Sequence, residues 1–261
     1  MNAAAIGETA VSASTTERVA RVLLCFANDA QWLGVSQIGR ELGLGKAVVH
    51  RILQTLVESA MLVYRPDTRM YGLGPAAIAL GRRATSNTDV LTASMPALSL
   101  LASITGETSI LCARVGYQRV YVGQIESAQP IRVTIRVGES LPLTAGASGS
   151  AILAFMPESD IELALTVPLP KYTASTVVEP HLIRERLALI RQRGWATTSG
   201  ERVPLSRSIA VPVFGLDPQP AGALSVGVLA TREAGTDQEL ARLVVAAGEQ
   251  ATKALRELQR G

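Results

Sequence analysis

The sequence predicts an α+β protein of two domains, the second built from helices packed on a mainly antiparallel sheet. Apolar residues recur at helical spacing in the first third of the chain, whereas β-prone and helical runs alternate from about Asp89 onward. Several β-prone runs are joined by turns too short for a crossover helix, which favours antiparallel pairing. With 261 residues and a hydrophobic composition of 48%, the chain can bury a sizeable core.

The N-terminal end of the chain predicts a tail and one helix. Residues 1 to 14 are rich in Ala, Ser and Thr and are expected to be disordered. Thr15 or Thr16 can cap a helix that runs to about Asn28. The predicted buried stripe of this helix is Val19, Val22, Leu23 and Phe26.

The stretch from Val35 to Ile52 predicts two short helices with a tight break at residues 43–45. Gly43 can adopt the positive φ that ends the first helix, and Gly39 lets the second helix cross close by. The apolar positions of the second helix fall on one face at Val49, Ile52, Leu53 and Leu56. The opposite face carries Lys46, Ala47, His50, Arg51 and Gln54. A helix with a buried back and a short basic front suits the DNA major groove.

Two helices joined by a glycine turn also occur as plain αα-hairpins, and a few basic residues can form a solvated face. The next stretch favours DNA binding. Two β-prone runs flank a turn at residues 66–69, which read Pro-Asp-Thr-Arg. A hairpin directly after a recognition helix is the wing of a winged helix-turn-helix. Arg65 and Arg69 would then lie at its tip, within reach of phosphate or the minor groove.

The positive charge of the chain is unevenly distributed. Residues 1 to 88 carry nine Lys and Arg against six Asp and Glu, whereas residues 89 to 261 carry sixteen of each. The formal net charge of +3 therefore comes entirely from the part of the chain that holds the helix-turn-helix. This asymmetry is expected if that part faces phosphates.

The sequence lacks the motifs that are typical of several functional classes. Cys25 and Cys112 are the only cysteines, and each is predicted to be a small buried hydrophobe. The chain shows no metal-ligand spacing, no dinucleotide fingerprint and no Walker motif, so we expect no metal and no cofactor. The first fourteen residues carry no Lys or Arg, and no stretch reaches the roughly 18 apolar residues of a membrane helix. We therefore expect a cytoplasmic protein.

The second part of the chain predicts alternating helices and strands. In order, we predict a linker helix opened by Gly74 and Pro75, a helix over 91–104, strands over 108–115 and 119–127, a half-buried strand over 131–137, a loop over 138–143, a helix opening at 146, a loop over 166–179, a helix over 180–193, strands over 195–199, 208–214 and 221–229, and a helix over 236–259.

A ligand site is predicted where the helix opens at residues 146–150, Gly-Ala-Ser-Gly-Ser. Free backbone N–H groups and the helix dipole favour an anion there, such as a carboxylate. Ser208 and Ser225 lie in otherwise apolar strands, where a hydroxyl is either simply satisfied or lines a small apolar pocket. The segment does not match the Gly-x-Ser-x-Gly elbow of hydrolases, and His181 is the one weak candidate for a base. We therefore expect that the protein is not an enzyme.

Residues 15 to 81 resemble the DNA-binding half of the IclR family of bacterial transcription regulators, most closely at residues 44–51 and 71–74. Ala47 and Ala60 depart from this pattern, standing where the family usually has Ser and Gly. The similarity continues at residues 141–143, 151–154, 200–201 and 209–214. It implies a winged helix-turn-helix over 15–74, a linker helix over 75–88 and a GAF-like effector-binding domain over 89–261.

Carried over residue by residue, the family's ligand site falls on Ala147, Ser148, Thr198, Ser208, Ser225 and Gly227. Thr198, Ser208 and Gly227 stand where the family can have Asp, Cys and Ser. The resemblance thus implies a regulator that binds a palindromic operator as a dimer or a pair of dimers, modulated by a small organic acid or an aromatic metabolite. The alternative is a winged-helix module that binds protein, which salt dependence would distinguish.

Overall fold

The structure is a computed structural model that describes residues 14–27, 30–86, 89–232 and 234–261. The chain divides into two compact units between Thr85 and Ser86. The first unit has one hydrophobic core, and the second has two that lie on opposite faces of its sheet. Among the described residues, no helix combines the length and apolar character needed to cross a membrane.

The first unit is a winged helix-turn-helix. Its elements are α1 (Thr15–Cys25), α2 (Val35–Leu42), α3 (Lys46–Glu58), β1 (Leu62–Arg65) and β2 (Met70–Leu73), and α4 (Pro75–Ser86) follows. The strands pair as an antiparallel hairpin with Leu62 opposite Leu73. The predicted buried back of α3 is confirmed, because Val49, Ile52, Leu53 and Leu56 all lie in the core.

The predicted cap of the first helix is wrong by one residue. Ser14 caps α1, since its side chain accepts a hydrogen bond from Glu17 N at 3.1 Å, and Thr15 and Thr16 occupy the first helical positions. The helix ends at Cys25. The predicted end at Asn28 and residues 1–13 of the predicted tail lie outside the described residues.

The break between α2 and α3 follows the prediction. Gly43 has φ of 65° and ends α2. A Cβ on Gly39 would lie 2.9 Å from the Leu44 carbonyl oxygen but 4.0 Å from a methyl of Val49. Gly39 therefore makes room chiefly for the turn, and only secondarily for the second helix.

The second unit is built on one six-stranded antiparallel sheet, in the order β5-β4-β3-β8-β7-β6. Its elements are α5 (Asp89–Thr105), β3 (Thr108–Val115), β4 (Gln118–Ile125), β5 (Ser140–Pro142), α6 (Gly146–Leu153), α7 (Glu158–Thr166), α8 (Pro180–Arg193), β6 (Ala196–Ser199), β7 (Ser206–Phe214), β8 (Pro220–Leu229) and α9 (Asp237–Leu258). The predicted α+β class with an antiparallel sheet is confirmed.

The sheet buries both of its faces. Alternate residues such as Leu111 and Leu224 pack against α5 and α9. Their neighbours, including Ile110 and Ala223, pack against α6, α7 and α8. This alternation follows from the period of two in a strand, and it explains why the central strands are apolar almost throughout.

The strand predicted over residues 131–137 is absent, although its backbone is hydrogen-bonded. Gln124 replaces a neighbouring strand, because its side-chain amide donates to Ile135 O and accepts from Ile135 N, both at 3.1 Å. Thr108 Oγ1 donates to Val133 O at 2.7 Å. The alternation of the sequence reflects an extended segment with Val133 buried, tethered by side chains.

Two further predictions for this region need correction. The loop predicted over 138–143 contains the edge strand β5, which pairs with β4 through Leu141 and Arg119. Helix α7 was not predicted, and the loop predicted to begin at residue 166 starts one residue later. Acidic residues in its first turn, Glu158 and Asp160, are the local signal for this helix.

Ala60, after α3, has φ of 56°, a conformation that favours glycine. Its carbonyl accepts from Ala76 N at 3.0 Å, and a Cβ on Gly74 would approach Ala60 O to 2.4 Å. These close contacts hold Ala60 in the left-handed region. The helix is therefore followed by the left-handed residue that commonly ends a helix, but that residue is an alanine, whose Cβ makes the conformation sterically unfavourable.

We predict that Ala60→Gly stabilises the first unit by up to about 1 kcal/mol, because glycine relieves the left-handed strain while losing more entropy on folding. Chemical denaturation followed by circular dichroism measures the free energy of unfolding. Gly43→Ala, at φ of 65°, is the matched control and should destabilise. A glycine variant no more stable than the wild type would mean that the strain at Ala60 does not exceed the extra backbone entropy that glycine loses on folding.

Candidate nucleic-acid interface and ligand cavity

The outer face of α3 carries the side chains predicted to meet DNA. Lys46, Ala47, His50, Arg51 and Gln54 are all exposed. Gly45 precedes the helix and makes no side-chain capping hydrogen bond. The start of α3 can therefore offer backbone N–H groups to a phosphate next to the Lys46 ammonium.

The wing is braced by a tryptophan that sequence reasoning missed. Leu33 and Tyr71 exchange two backbone hydrogen bonds of 2.9 Å, and a Cβ on Gly72 would lie 2.9 Å from the Trp32 ring. The Arg65 guanidinium stacks on the same ring, 3.8 Å from its centre. Arg65 is therefore held against Trp32, whereas Arg69 is the exposed cation of the turn, at φ of 56°.

A groove separates α3 from the wing. His50 and Gln54 line it on the helix side, and Tyr64 and Tyr71 line it on the wing side. The two tyrosine rings are 4.8 Å apart. Burial, and then the neighbouring Tyr64, raise the pKa of Tyr71, so its phenol stays neutral at physiological pH. The groove extends the recognition face with hydrogen-bonding side chains, and the carboxylate of Glu58 also lines it.

In the second unit, one cavity gathers most of the predicted ligand residues. Ala147 and Ser148 from α6, Thr198 from β6, Ser208 from β7 and Ser225 from β8 all line it. The register explains this convergence, since Thr198 of β6 pairs with Ser208 of β7, and β7 pairs in turn with β8. Gly227 does not line the cavity.

Gly227 lies instead beneath Val133. A Cβ on Gly227 would be 3.0 Å from Val133 Cγ1. Val133 itself lines the cavity, together with Thr134 and Ile135. The extended segment over residues 131–137 therefore forms one wall, and Gly227 supports that wall from behind.

Two buried hydroxyls form the floor of the cavity. Ser148 Oγ donates to Ser225 Oγ at 3.0 Å, and Ser225 Oγ approaches Ile110 O at 3.4 Å. Nearby, burial raises the pKa of the Cys112 thiol to about 11, so the thiol is neutral. Cys25 and Cys112 are both free and buried, as predicted.

The start of α6 is occupied by a carboxylate of the protein itself. Gly146 N donates to Glu201 Oε2 at 3.0 Å. Arg186 of α8 donates to Glu201 Oε1, and Glu201 is buried. The predicted open anion site at the helix start is thus partly wrong. The dipole does attract an anion, but that anion is Glu201.

Sequence reasoning also missed two arginines that line the cavity. Arg119 is only 1% exposed, and its Nη1 donates to Pro142 O at 2.7 Å and to Ala145 O at 2.8 Å. Arg202 Nη2 reaches both oxygens of Glu139 at 2.6 Å. A single Arg in an alternating strand looks like a surface residue, so nothing local distinguished Arg119.

A basic recognition face joined to a separate domain with a polar-lined cavity defines a class of helix-turn-helix regulators. Two family models match this chain. One, described as the IclR helix-turn-helix domain, covers residues 15–66, and the other, described as the bacterial transcriptional regulator IclR C-terminal, covers residues 82–253. The chain belongs to the IclR family of bacterial transcriptional regulators, which confirms the resemblance seen in the sequence.

Individual relatives agree with this assignment. The HTH-type transcriptional regulator Rv1719 of Mycobacterium tuberculosis is 30% identical over 88% of this chain and 87% of its own. The structure of an IclR regulator from Alicyclobacillus acidocaldarius matches 92% of this chain and 98% of its own, with 27% identity and a TM-score of 0.80. An IclR homologue from Microbacterium hydrocarbonoxydans, complexed with 4-hydroxybenzoate, shares the fold, with 23% identity and a TM-score of 0.81 over 94% of this chain and 100% of its own.

We predict that Glu201→Gln lowers the free energy of unfolding of the second unit by about 3 kcal/mol, because the Arg186 guanidinium loses its buried counter-charge. Glutamine can still accept from Gly146 N, so the loss reports the charge. Thermal or urea unfolding measures it. Glu158→Gln is the matched control, since Glu158 pairs with Arg184 at the surface and should change stability little. Similar stability of both variants would contradict a buried ion pair at Glu201.

Proposed function

We propose that this protein is a sequence-specific transcriptional regulator that reads a palindromic operator through α3 and is modulated by a small molecule in the cavity of the second unit. The observation that carries the proposal is the face of α3, where exposed cations and short polar groups lie over a fully buried back. Such a helix presents donors to base edges and phosphates without disturbing the core.

Within that face, the proposed roles follow from position. Arg51, in the second turn, is placed for a guanine edge or a phosphate, and Lys46 at the helix start is placed for phosphate. His50 and the small Ala47 lie between them. Arg69 extends from the wing toward the DNA backbone. Arg65 contributes its positive charge while it is stacked on the ring of Trp32.

The second unit is proposed as the effector domain. A homologue of the same fold holds 4-hydroxybenzoate, which supports a small acid or aromatic ligand here. An effector that binds one arrangement of the subunits more tightly than another shifts the population toward it and so changes operator affinity. We assign no catalysis to Ser148, because no histidine of the described residues lines its cavity.

The proposed assembly is a homodimer or a pair of dimers in the cytoplasm, with recognition helices about one DNA turn apart. Helix α4 supports self-association. Its Ile78 is 63% exposed and its Leu80 is 60% exposed; the two lie on different sides of the helix, and a second copy can cover one of them.

The decisive experiment titrates the purified protein against the intergenic DNA upstream of its own gene over a range of salt concentrations. Tight binding to a palindrome that weakens steeply with salt supports the proposal, because phosphate contacts release counterions. Binding without sequence preference, or capture of a protein partner that is insensitive to salt, would favour the interaction-module alternative.

Arg51→Ala is expected to lower operator affinity by an order of magnitude or more, since a bidentate base contact or a charged phosphate contact is lost. Fluorescence anisotropy with labelled operator measures the dissociation constant. Lys171→Ala removes one exposed positive charge from the second unit and serves as the control. If both variants bind as the wild type does, Arg51 is not a reading residue.

Ser148→Trp is expected to abolish the response to effector while operator affinity stays at the wild-type value, because the indole fills the cavity floor beside Ser225. Anisotropy measured with and without a compound that alters wild-type operator binding tests this. An undiminished response in the variant would place the effector pocket elsewhere.

A further inference from the structure

Arg119 is a buried charge that has no carboxylate partner among the residues that the structure describes. The residue is 1% exposed, and its Nε has no hydrogen-bond partner. Among the described residues, its hydrogen bonds run from Nη1 to two backbone carbonyls, and its guanidinium carbon lies 5.7 Å from the centre of the Tyr121 ring. None of the ion pairs seen among the described residues involves Arg119.

The other cations around the cavity are paired. Arg186 is bonded to Glu201, and Arg202 is bonded to Glu139. Glu201 also accepts from the start of α6. Glu201, which lines the cavity, and Glu139, which pairs with the lining residue Arg202, are therefore both engaged by other arginines, and among the described lining residues Arg119 is the cation left without a carboxylate.

An unpaired buried guanidinium destabilises the fold, because it loses its hydration without gaining a counter-charge, and a bound anion would supply that counter-charge. The Nε edge of a guanidinium is one of the two edges that can grip a carboxylate with parallel hydrogen bonds. Nη1 points to Pro142 and Ala145, which leaves Nε as the unpartnered and solvent-inaccessible nitrogen of this edge. Arg119 also lines the cavity, so its charge lies where a ligand would sit.

We propose that Arg119 binds the carboxylate of the effector, so that the ligand is a small organic anion. This inference rests on the proposed effector site and names its charged anchor. The body of the ligand would lie between the Ser148 and Ser225 hydroxyls and the apolar wall of Val133 and Ile135. The cavity measures about 40 Å³, which favours a compact acid or requires that wall to move outward.

Isosteric acid and amide pairs test the charge without altering the protein. Acetate with acetamide, lactate with lactamide, and benzoate with benzamide are titrated into the full-length protein by calorimetry. We expect at least one acid to bind at least tenfold more tightly than its amide, because the amide cannot form charge-assisted hydrogen bonds with the Arg119 guanidinium as a carboxylate does. A panel in which no acid binds, or in which each amide binds as well as its acid, overturns the proposal.

Two variants then locate the anchor. Arg119→Met keeps the volume and should lower affinity for the bound acid at least tenfold, removing the preference for acid over amide. Arg119→Lys keeps the charge but lacks the paired N–H donors of the guanidinium, so its affinity for the acid should lie between that of Arg119→Met and that of the wild type. Arg242→Met, which removes an exposed arginine of α9, is the control. Circular dichroism and operator binding check that each variant is folded.

The outcomes separate this inference from the proposed function. Unchanged acid affinity in folded Arg119→Met overturns the anchor, even if the acid still alters operator binding. A neutral compound that alters operator binding and binds the wild type and Arg119→Met equally also overturns the anchor. That result would still support the proposed function as a transcriptional regulator. If Arg119→Met does not fold, the acid and amide pairs on the wild type decide the question.

Discussion

The cavity of the second unit depends on the carboxylate of Glu201. One oxygen accepts from the first turn of α6 and the other from Arg186 of α8, while the backbone carbonyl of Glu201 accepts from Thr176 Oγ1 at 2.6 Å. A single residue thus fixes two helices and the loop over 167–179 around the end of the sheet. Because an anion already satisfies the helix dipole, Arg119 is the cation that has no carboxylate partner among the described residues lining the cavity.

The sheet explains why the cavity lies on only one side. Its face toward α5 and α9 is filled by branched side chains such as Val226 and Val228. The opposite face carries small residues, including Ser225 of the central strand β8 and Ser208 of β7, and the covering helix begins with Gly146. Small residues on facing elements leave space, and their hydroxyls make that space polar.

Elements with local signals were predictable, and those that depend on distant partners were not. Helix α8 could be bounded because Pro180 starts it and Gly194 stops it. The segment over 131–137 alternates as a strand does, but its backbone partner is the Gln124 side chain, which no periodicity reveals. Arg119 and Glu201 act through contacts that only the folded chain brings together.

Position 227 shows how this cavity can acquire its own ligand preference. The glycine makes no contact that a ligand could use directly, yet a Cβ there would press on Val133 and lie 3.5 Å from Ile110 Cδ1. Both of these residues line the cavity. A larger residue at 227 would push the wall inward, and glycine lets Val133 settle against the sheet. The effect of a substitution at this position would therefore be steric and indirect, whereas the roles proposed for Ser148, Ser225 and Arg119 rest on hydrogen bonding and charge.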